Sequence, residues 1–474
     1  MTVPAHAASE TLSLLPPQIE QLVKAQRRFF DSGVTRPYAF RKAQLEVLRA
    51  AVKRYENRLL EALYTDLHRD AFEAFGTELG PFYTEVKHTL SHLQQWMQPE
   101  AVPTPIMFFP SRSYTVRQPL GLTLHISPWN YPFLLLMGSV IGAIAGGNTL
   151  ILKPSELAPA TTQVVVQMIE ETFEPDYIAI ITGPGHLVTS QLIEQYHFDH
   201  IFYTGSTTVG KIIMQAAARH LSPVTLELGG KSPTVVTQHA NLRFAAKRIA
   251  WGKLMNAGQA CVSNDYVLVH ASVKDKFIPL LKEAFTQMTG PNPQQSPHYA
   301  RIINQRQYQR LCGYLQQGQI LHGGQTDAND LYIAPTIMDG VSLDAPLMQE
   351  EIFGPIMPLF SYTTNEEAID VIKRNDYPLA LYVYSDKKAT ADYFLQRVRF
   401  GGGCVNNGFI HLANPHLGFG GVGYSGIGAY HGKDSFDTFT HKQSIMRSPS
   451  WWDLPLWYSP RKAWYLKVLK RLMG

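Results

Sequence analysis

Charge is scarce in this chain, cysteine is nearly absent, and no clean apolar run is long enough to cross a bilayer. Charged residues make up 17% of the 474 positions and hydrophobic ones 45%, the balance of a globular protein with a sizeable core. The three cysteines, Cys261, Cys312 and Cys404, form an odd and widely spaced set. That excludes a disulfide framework and points to a reducing, cytoplasmic compartment. Neither CxxC nor HExxH occurs, so no metal site is expected. The opening MTVPAHAASETLSLLPP has no basic region followed by an apolar run, so no signal peptide is expected. FLLLMGSVIGAIAGGNTLIL, residues 133–152, resembles a membrane span in being uncharged, but four glycines and Asn148 interrupt it. It reads as a buried helix running into a strand.

The formal charge of +4 is unevenly placed. Residues 451–474 hold five Lys/Arg and one Asp, which accounts for all of it. A neutral body with a basic tail does not suit a nucleic-acid binder.

The length predicts more than one domain. Residues 17–97 carry leucine and alanine at helical spacing. PEAVPTPIMFFPSRS then interposes four prolines, a linker or the start of an arm. From 121 onward, short apolar strands (GLTLHIS, TLILK, YIAIIT, HIFYTG, VTLELGG) alternate with helices, which predicts βαβ units and a doubly wound parallel sheet. Such sheets bind ligands beyond the carboxyl ends of their strands. A second alternating region (PTVVTQ, DYVLVH, IMPLFSY, LALYVYS) predicts a second α/β unit reaching to about residue 428.

Three segments bear on nucleotide binding. GPGHLV, Gly183–Val188, lacks the third glycine of GxGxxG and reads as a turn before a helix. YTGSTTVGK follows a strand and opens a helix, so Gly205, Ser206, Thr207, Thr208, Val209 and Gly210 suit a phosphate, with ordinary helix capping as the alternative. In LKPSELAP, Lys153 and Glu156 stand just past a strand, where they suit ribose hydroxyls or form a surface ion pair.

Cys261 lies among small residues in WGKLMNAGQACVSNDY. Asn130 in SPWNYPF, Glu227 in LELGGKSP, Glu351 and Phe353 in EEIFGP, and the Gly- and Asn-rich NNGFIHLANPHLGFGGVGYSGIG complete the constellation. Asn130 could cap a helix, Glu227 could sit in a buried ion pair, and Phe353 could be core; jointly they are far more specific.

With RPYAFRKAQLEVLR, IFYTGSTTVGK, PVTLELGGKSP, GQACVSNDY and QEEIFGP in order, residues 20–447 resemble the aldehyde dehydrogenase superfamily, most closely its class 3 branch. The resemblance implies an aldehyde dehydrogenase-like α/β fold. It comprises an NAD(P)-binding domain (1–103 and 119–228), a catalytic domain (229–432) and a β oligomerisation arm (104–118 and 433–447). It implies Cys261 as nucleophile, Asn130 and the Cys261 N–H as oxyanion donors, and Glu227 as base for thioester hydrolysis, with Glu351 close enough to share that work. Glu351 and Phe353 would hold the nicotinamide end of the cofactor, Gly205–Gly210 the pyrophosphate, and Lys153 and Glu156 the adenosine ribose. Glu156 should repel a 2′-phosphate, which favours NAD, while Lys153 would tolerate NADP. No Lys or Arg can be placed in the substrate tunnel. The substrates that the resemblance implies are medium- to long-chain aliphatic, or other lipophilic or aromatic, aldehydes, with fatty aldehydes first and an apocarotenal as the alternative. Cys312 and Cys404 are expected to be inert, and the glycines near Cys261 to leave room for cofactor and substrate. The arm implies a homodimer. Transfer of the acyl group to coenzyme A is disfavoured because Glu227 is present. A non-catalytic membrane-associated protein on this fold is disfavoured because Cys261, Asn130 and Glu227 are all intact.

The tail, residues 451–474, holds four of the seven tryptophans. It predicts a helix from Ser459–Pro460, with Lys467, Lys470 and Arg471 on one face and Tyr465, Val468, Leu469 and Leu472 on the other. Its five basic residues are worth about 5 kcal/mol on an anionic surface, so peripheral membrane contact is preferred to packing on the protein.

Overall fold

A computed structural model describes residues 12–473; most of the segment read for a signal peptide lies outside them, as does the side chain of Leu472. The predicted helical region folds as Pro16–Asp31, Tyr38–Leu67, and a run from Ala71 to Trp96 with a π-helical turn at Phe75–Leu79. Leu45, Leu48, Val52, Leu59 and Leu63 form the buried stripe of the second helix, as its heptad-like spacing requires.

The first sheet has the order Gly426–Ile427, Val224–Glu227, His200–Thr204, Leu122–Ile126, Thr149–Lys153, Ile178–Ile180. Its five longer-range crossover strands are parallel, and their spatial order reverses between Leu122–Ile126 and His200–Thr204. That switch point is where a doubly wound sheet opens a ligand crevice. The final strand is antiparallel and comes from the Gly-rich segment after residue 420. This segment therefore joins the first sheet, although the sequence grouped it with the second unit.

The uncharged stretch at 133–152 forms the helix Leu134–Gly146 and the strand Thr149–Lys153, almost wholly buried. Gly147, at φ 85°, ends the helix in the left-handed region. The Asn148 side chain accepts from the N–H groups of Leu120 and Gly121 and donates to the carbonyls of Ala143 and Phe439. What looked like a polar interruption is a satisfied buried bracket.

The second sheet runs Gln319–His322, Thr336–Asp339, Ile356–Tyr362, Tyr266–His270, Pro233–Val236, Ala380–Tyr384, Gly402–Val405, parallel except for its first strand. A separate three-stranded sheet pairs Glu100–Val102, Arg112–Pro119 and Thr440–Arg447. Within the segment expected to form the second half of the arm, Gly432–Thr438 is helical and packs on Leu134–Gly146.

The tail helix spans Ala463–Met473 and so begins later than Ser459–Pro460. Leu456 and Tyr465 are buried, Trp457 stacks on Phe108 with ring centroids 6.2 Å apart, and Val468 and Leu469 are half-buried. The apolar face expected to meet lipid is thus turned onto the protein, because the arm offers an aromatic surface within reach. Among the described residues no helix is long and apolar enough to cross a membrane.

Candidate active site

Asn130 follows the strand Leu122–Ile126 in a segment with no local cap for the helix ahead. Glu78, fully buried and paired with Arg69, supplies one by accepting the N–H groups of Phe133 and Leu134 at 2.9 and 2.8 Å. Asn130 donates one side-chain N–H to the carbonyl of Gln259 at 3.1 Å. Its second N–H has no partner among the described residues. Gln259 is itself pinned: it donates to the carbonyls of Asn256 and Arg301 and accepts from Ile303. Cys261 lies two residues on, and the backbone N–H groups of Cys261 and Val262 oppose the rise in its thiol pKa. The site thus has donors fixed around the place where negative charge would form on a carbonyl attacked by that sulfur.

Glu227 ends the strand Val224–Glu227, is 2% exposed, and has no hydrogen-bond partner on either carboxyl oxygen. Burial alone holds its pKa well above the carboxylate range. Glu351 lies against the backbone of Gly229, where an added Cβ would stand 2.0 Å from its Oε2. Burial, then Asp265, raises its pKa, with Lys231 opposing. The Cys261 thiol is pushed up by burial and then by Glu351 and Glu227. The resting site therefore holds a neutral thiol between carboxyl groups that favour their protonated forms.

Cys261 opens into a cavity of about 680 Å³ walled by Tyr131, Leu134, Trp251, Met255, Phe409 and Ile410 among others. No Lys or Arg is among its lining residues. Phe353, at φ 50°, packs edge-on against Trp129 with centroids 5.3 Å apart.

Lys153 and Glu156 pair at 3.0 Å, and Lys153 also donates to the carbonyl of Pro154. Glu156 accepts the N–H of Gly185, so GPGHLV is a turn tied to a carboxylate rather than an anion loop. Ser206 caps the helix Thr207–Ala217 by accepting the N–H of Val209, and Thr207 Oγ1 donates to the carbonyl of Tyr424. The first-turn N–H groups of Thr207 and Thr208 have no acceptor among the described residues. The exposed side chain of Val209 leaves that turn open, while an added Cβ on Gly210 would strike Leu228. These free donors at a helix start beside the switch point fit a pyrophosphate, and the Lys–Glu pair fits hydroxyl groups nearby.

One expectation needs correcting. The glycines near Cys261 do not leave room for ligands. A Cβ on Gly258 would lie 2.2 Å from the carbonyl oxygen of Gly354, and one on Gly252 would meet Asn264 and Phe409. They let chain segments cross closely. His411 Nδ1 lies 3.6 Å from the sulfur of Cys404. Burial raises the thiol and lowers His411 to about 4, so the pair stays neutral.

Sequence reasoning missed Asn256, Gln259, Lys231 and Glu73. Lys231 is buried, paired with Asp265, and donates to the carbonyls of Leu347 and Glu350, bracing the segment that carries Glu351. Its position within LELGGKSP was the available signal.

An α/β chain with a doubly wound parallel sheet, a switch point and a cysteine close to two buried carboxyl groups has the scaffold of an oxidoreductase. Residues 11–445 match the aldehyde dehydrogenase family, and the chain belongs to that family. It is 47% identical over 430 residues, 90% of this chain and 93% of the relative, to the 4,4'-diaponeurosporen-aldehyde dehydrogenase of Staphylococcus aureus. It is 43% identical to aldehyde dehydrogenase family 3 member B1 of Rattus norvegicus, covering 95% of this chain and 96% of the relative. The structure of a substrate-bound Staphylococcus aureus aldehyde dehydrogenase superposes with a TM-score of 0.94 at 44% identity, covering 96% and 99% of the two chains. A P. syringae indole-3-acetaldehyde dehydrogenase variant, in complex with NAD+, superposes with a TM-score of 0.83 at 27% identity, covering 92% and 89%.

Proposed function

We propose that this aldehyde dehydrogenase oxidises long, lipophilic, uncharged aldehydes to carboxylic acids with NAD+ or NADP+, by a hydrolysed thioester on Cys261. The observation that carries this reading is Cys261 at the wall of a large cavity with no Lys or Arg among its described lining residues, with Glu227 nearby and unpartnered. Cys261 releases its thiol proton to solvent and adds to the aldehyde carbon as the thiolate. Asn130 and the Cys261 N–H receive the oxyanion, and its collapse requires a hydride acceptor, which bound nicotinamide supplies. Glu227 must first give up the proton that its burial favours; as the carboxylate it then takes a proton from the water that attacks the thioester, with Glu351 the second candidate. Thr207 and Thr208 would hold the pyrophosphate, and Lys153 and Glu156 the ribose. Glu156 beside that ribose favours NAD+ over NADP+ by repulsion of a 2′-phosphate.

Both a polyene aldehyde, suggested by the Staphylococcus aureus relative, and a fatty aldehyde fit such a cavity. NAD+ and NADP+ reduction should be measured with saturated aldehydes of increasing length and with a polyene aldehyde, beside Cys261→Ser. Activity that rises with length and is lost in the variant is expected; a preference for short or carboxylated aldehydes would overturn the substrate reading.

The arm supports a homodimer, because its outer strands are exposed and Ile106 and Phe109 beside it stand 77% and 65% exposed. Membrane contact rests on the tail's five basic residues, all exposed, with Trp464 and Leu466 beside them. With the other apolar face turned inward, this contact is chiefly electrostatic.

A further inference from the structure

The loop before Cys261 is held in an unfavourable shape. Asn256 and Ala257 both have φ 49°, and Gly258 follows at φ 74°. A left-handed run is penalised for residues with a Cβ and persists only where its surroundings impose it. The run matters chemically because Asn256 donates its side-chain N–H groups to the carbonyls of Asn130 and Gln259, at 2.9 and 3.1 Å. Asn130 bonds the same Gln259 carbonyl. The shape of this turn therefore sets the relation between the amide of Asn130 and the sulfur of Cys261.

One side chain reaches the start of the run from a distant element. Glu73 Oε1 accepts the backbone N–H of Asn256 at 2.6 Å. Glu73 sits in the first turn of a helix whose cap is Asp70, which accepts the N–H of Glu73 itself. A Glu three residues after an Asp cap ordinarily folds back to the cap's own N–H. Here it is directed across the cavity wall to the catalytic loop instead, and it lines the same cavity as Cys261.

We infer that Glu73 is a positioning residue for the oxidation: its carboxyl holds Asn256 in the left-handed conformation and thereby aligns Asn130 with Cys261. This rests on the reading of Asn130 and Cys261 given above. Either protonation state of Glu73 retains an acceptor oxygen for the Asn256 N–H, so the amide of a glutamine should serve as well. Loss of the acceptor releases the turn. Misplacement of reacting groups by about an ångström costs about 10²-fold in rate.

The test compares Glu73→Ala, Glu73→Gln and the double variant Glu73→Ala/Ala257→Gly with the parent protein, using a medium-chain aldehyde and NAD+. Glycine tolerates the left-handed run without imposed restraint. Glu73→Ala should lower kcat about ten-fold or more, within the span set by misalignment, with KM nearly unchanged. Glu73→Gln should recover most of the loss, and so should Ala257→Gly in the alanine background. Matching far-UV circular dichroism and NAD+ binding across the set confirm that each variant is folded. A change in KM alone would make Glu73 a substrate contact and overturn the inference. So would an unchanged kcat in Glu73→Ala, or failure of both rescues. An inactive parent protein would instead count against the dehydrogenase reading itself.

Discussion

At the scale of single residues, burial pushes Glu227 and Glu351 toward their protonated forms and the Cys261 thiol toward its neutral form. A raised thiol pKa means that the thiolate fraction keeps climbing with pH across the neutral range. Alkylation of Cys261 by iodoacetamide, followed by mass spectrometry, should therefore quicken steadily from pH 6 to 9 without a plateau. NAD+ bound as proposed would bring its positively charged ring toward the sulfur and should speed alkylation at each pH. Glu227→Gln should leave acylation intact but block release. Stopped-flow absorbance should then show a burst of about one equivalent of reduced cofactor per site followed by almost no turnover. Asn130→Ala removes an oxyanion donor and should lower kcat by about 10²- to 10³-fold.

At the scale of elements, the site depends on segments that cross without side chains between them. Gly258 has a left-handed φ, and its missing Cβ admits the carbonyl of Gly354. Gly258→Ala should thus separate the Cys261 loop from the segment carrying Glu351 and Phe353. Lost activity with a lowered melting temperature is expected, and a variant with parental values would show that the crossing has slack. The tail is a second such element. Because Tyr465 is buried and the basic residues are exposed, the membrane contact proposed for it should be salt-sensitive. In flotation with anionic vesicles, the full chain should rise at low salt and stay behind at high salt, while a chain ending at residue 450 stays behind at both. Equal flotation of the two chains would overturn docking by the tail.

At the scale of the whole molecule, buried histidines join the first sheet to its surroundings. His125 bonds Thr123 and Ser139 and stacks on Phe439, and His200 contacts Thr225 on the next strand. Burial lowers them to about 3 and about 4. Below pH 6.5 the unfolded chain binds protons that the folded one refuses, so stability is complete above 6.5 and is lost as pH falls toward 4. Each contribution is on the order of a few kcal/mol at the acid end. The melting temperature should fall steeply from pH 6.5 to 4, and His125→Asn should flatten that slope.

The sequence by itself determined the family, through motifs in a fixed order, and the two alternating units, because strands buried on both faces must be apolar. It was enough to place Cys261, Glu227 and Glu351 in one constellation. It did not determine which way the tail's apolar face turns, since amphipathic spacing serves a membrane and an aromatic arm equally. Nor did it reveal Glu73, which reads locally as part of a helix cap. Only the tertiary structure decided these, because the carboxyl of Glu73 finds its partner on a backbone N–H far along the chain. A backbone amide leaves no mark in the residue types. The same holds for the glycines beside Cys261, whose missing side chains serve the crossing of two segments rather than a ligand.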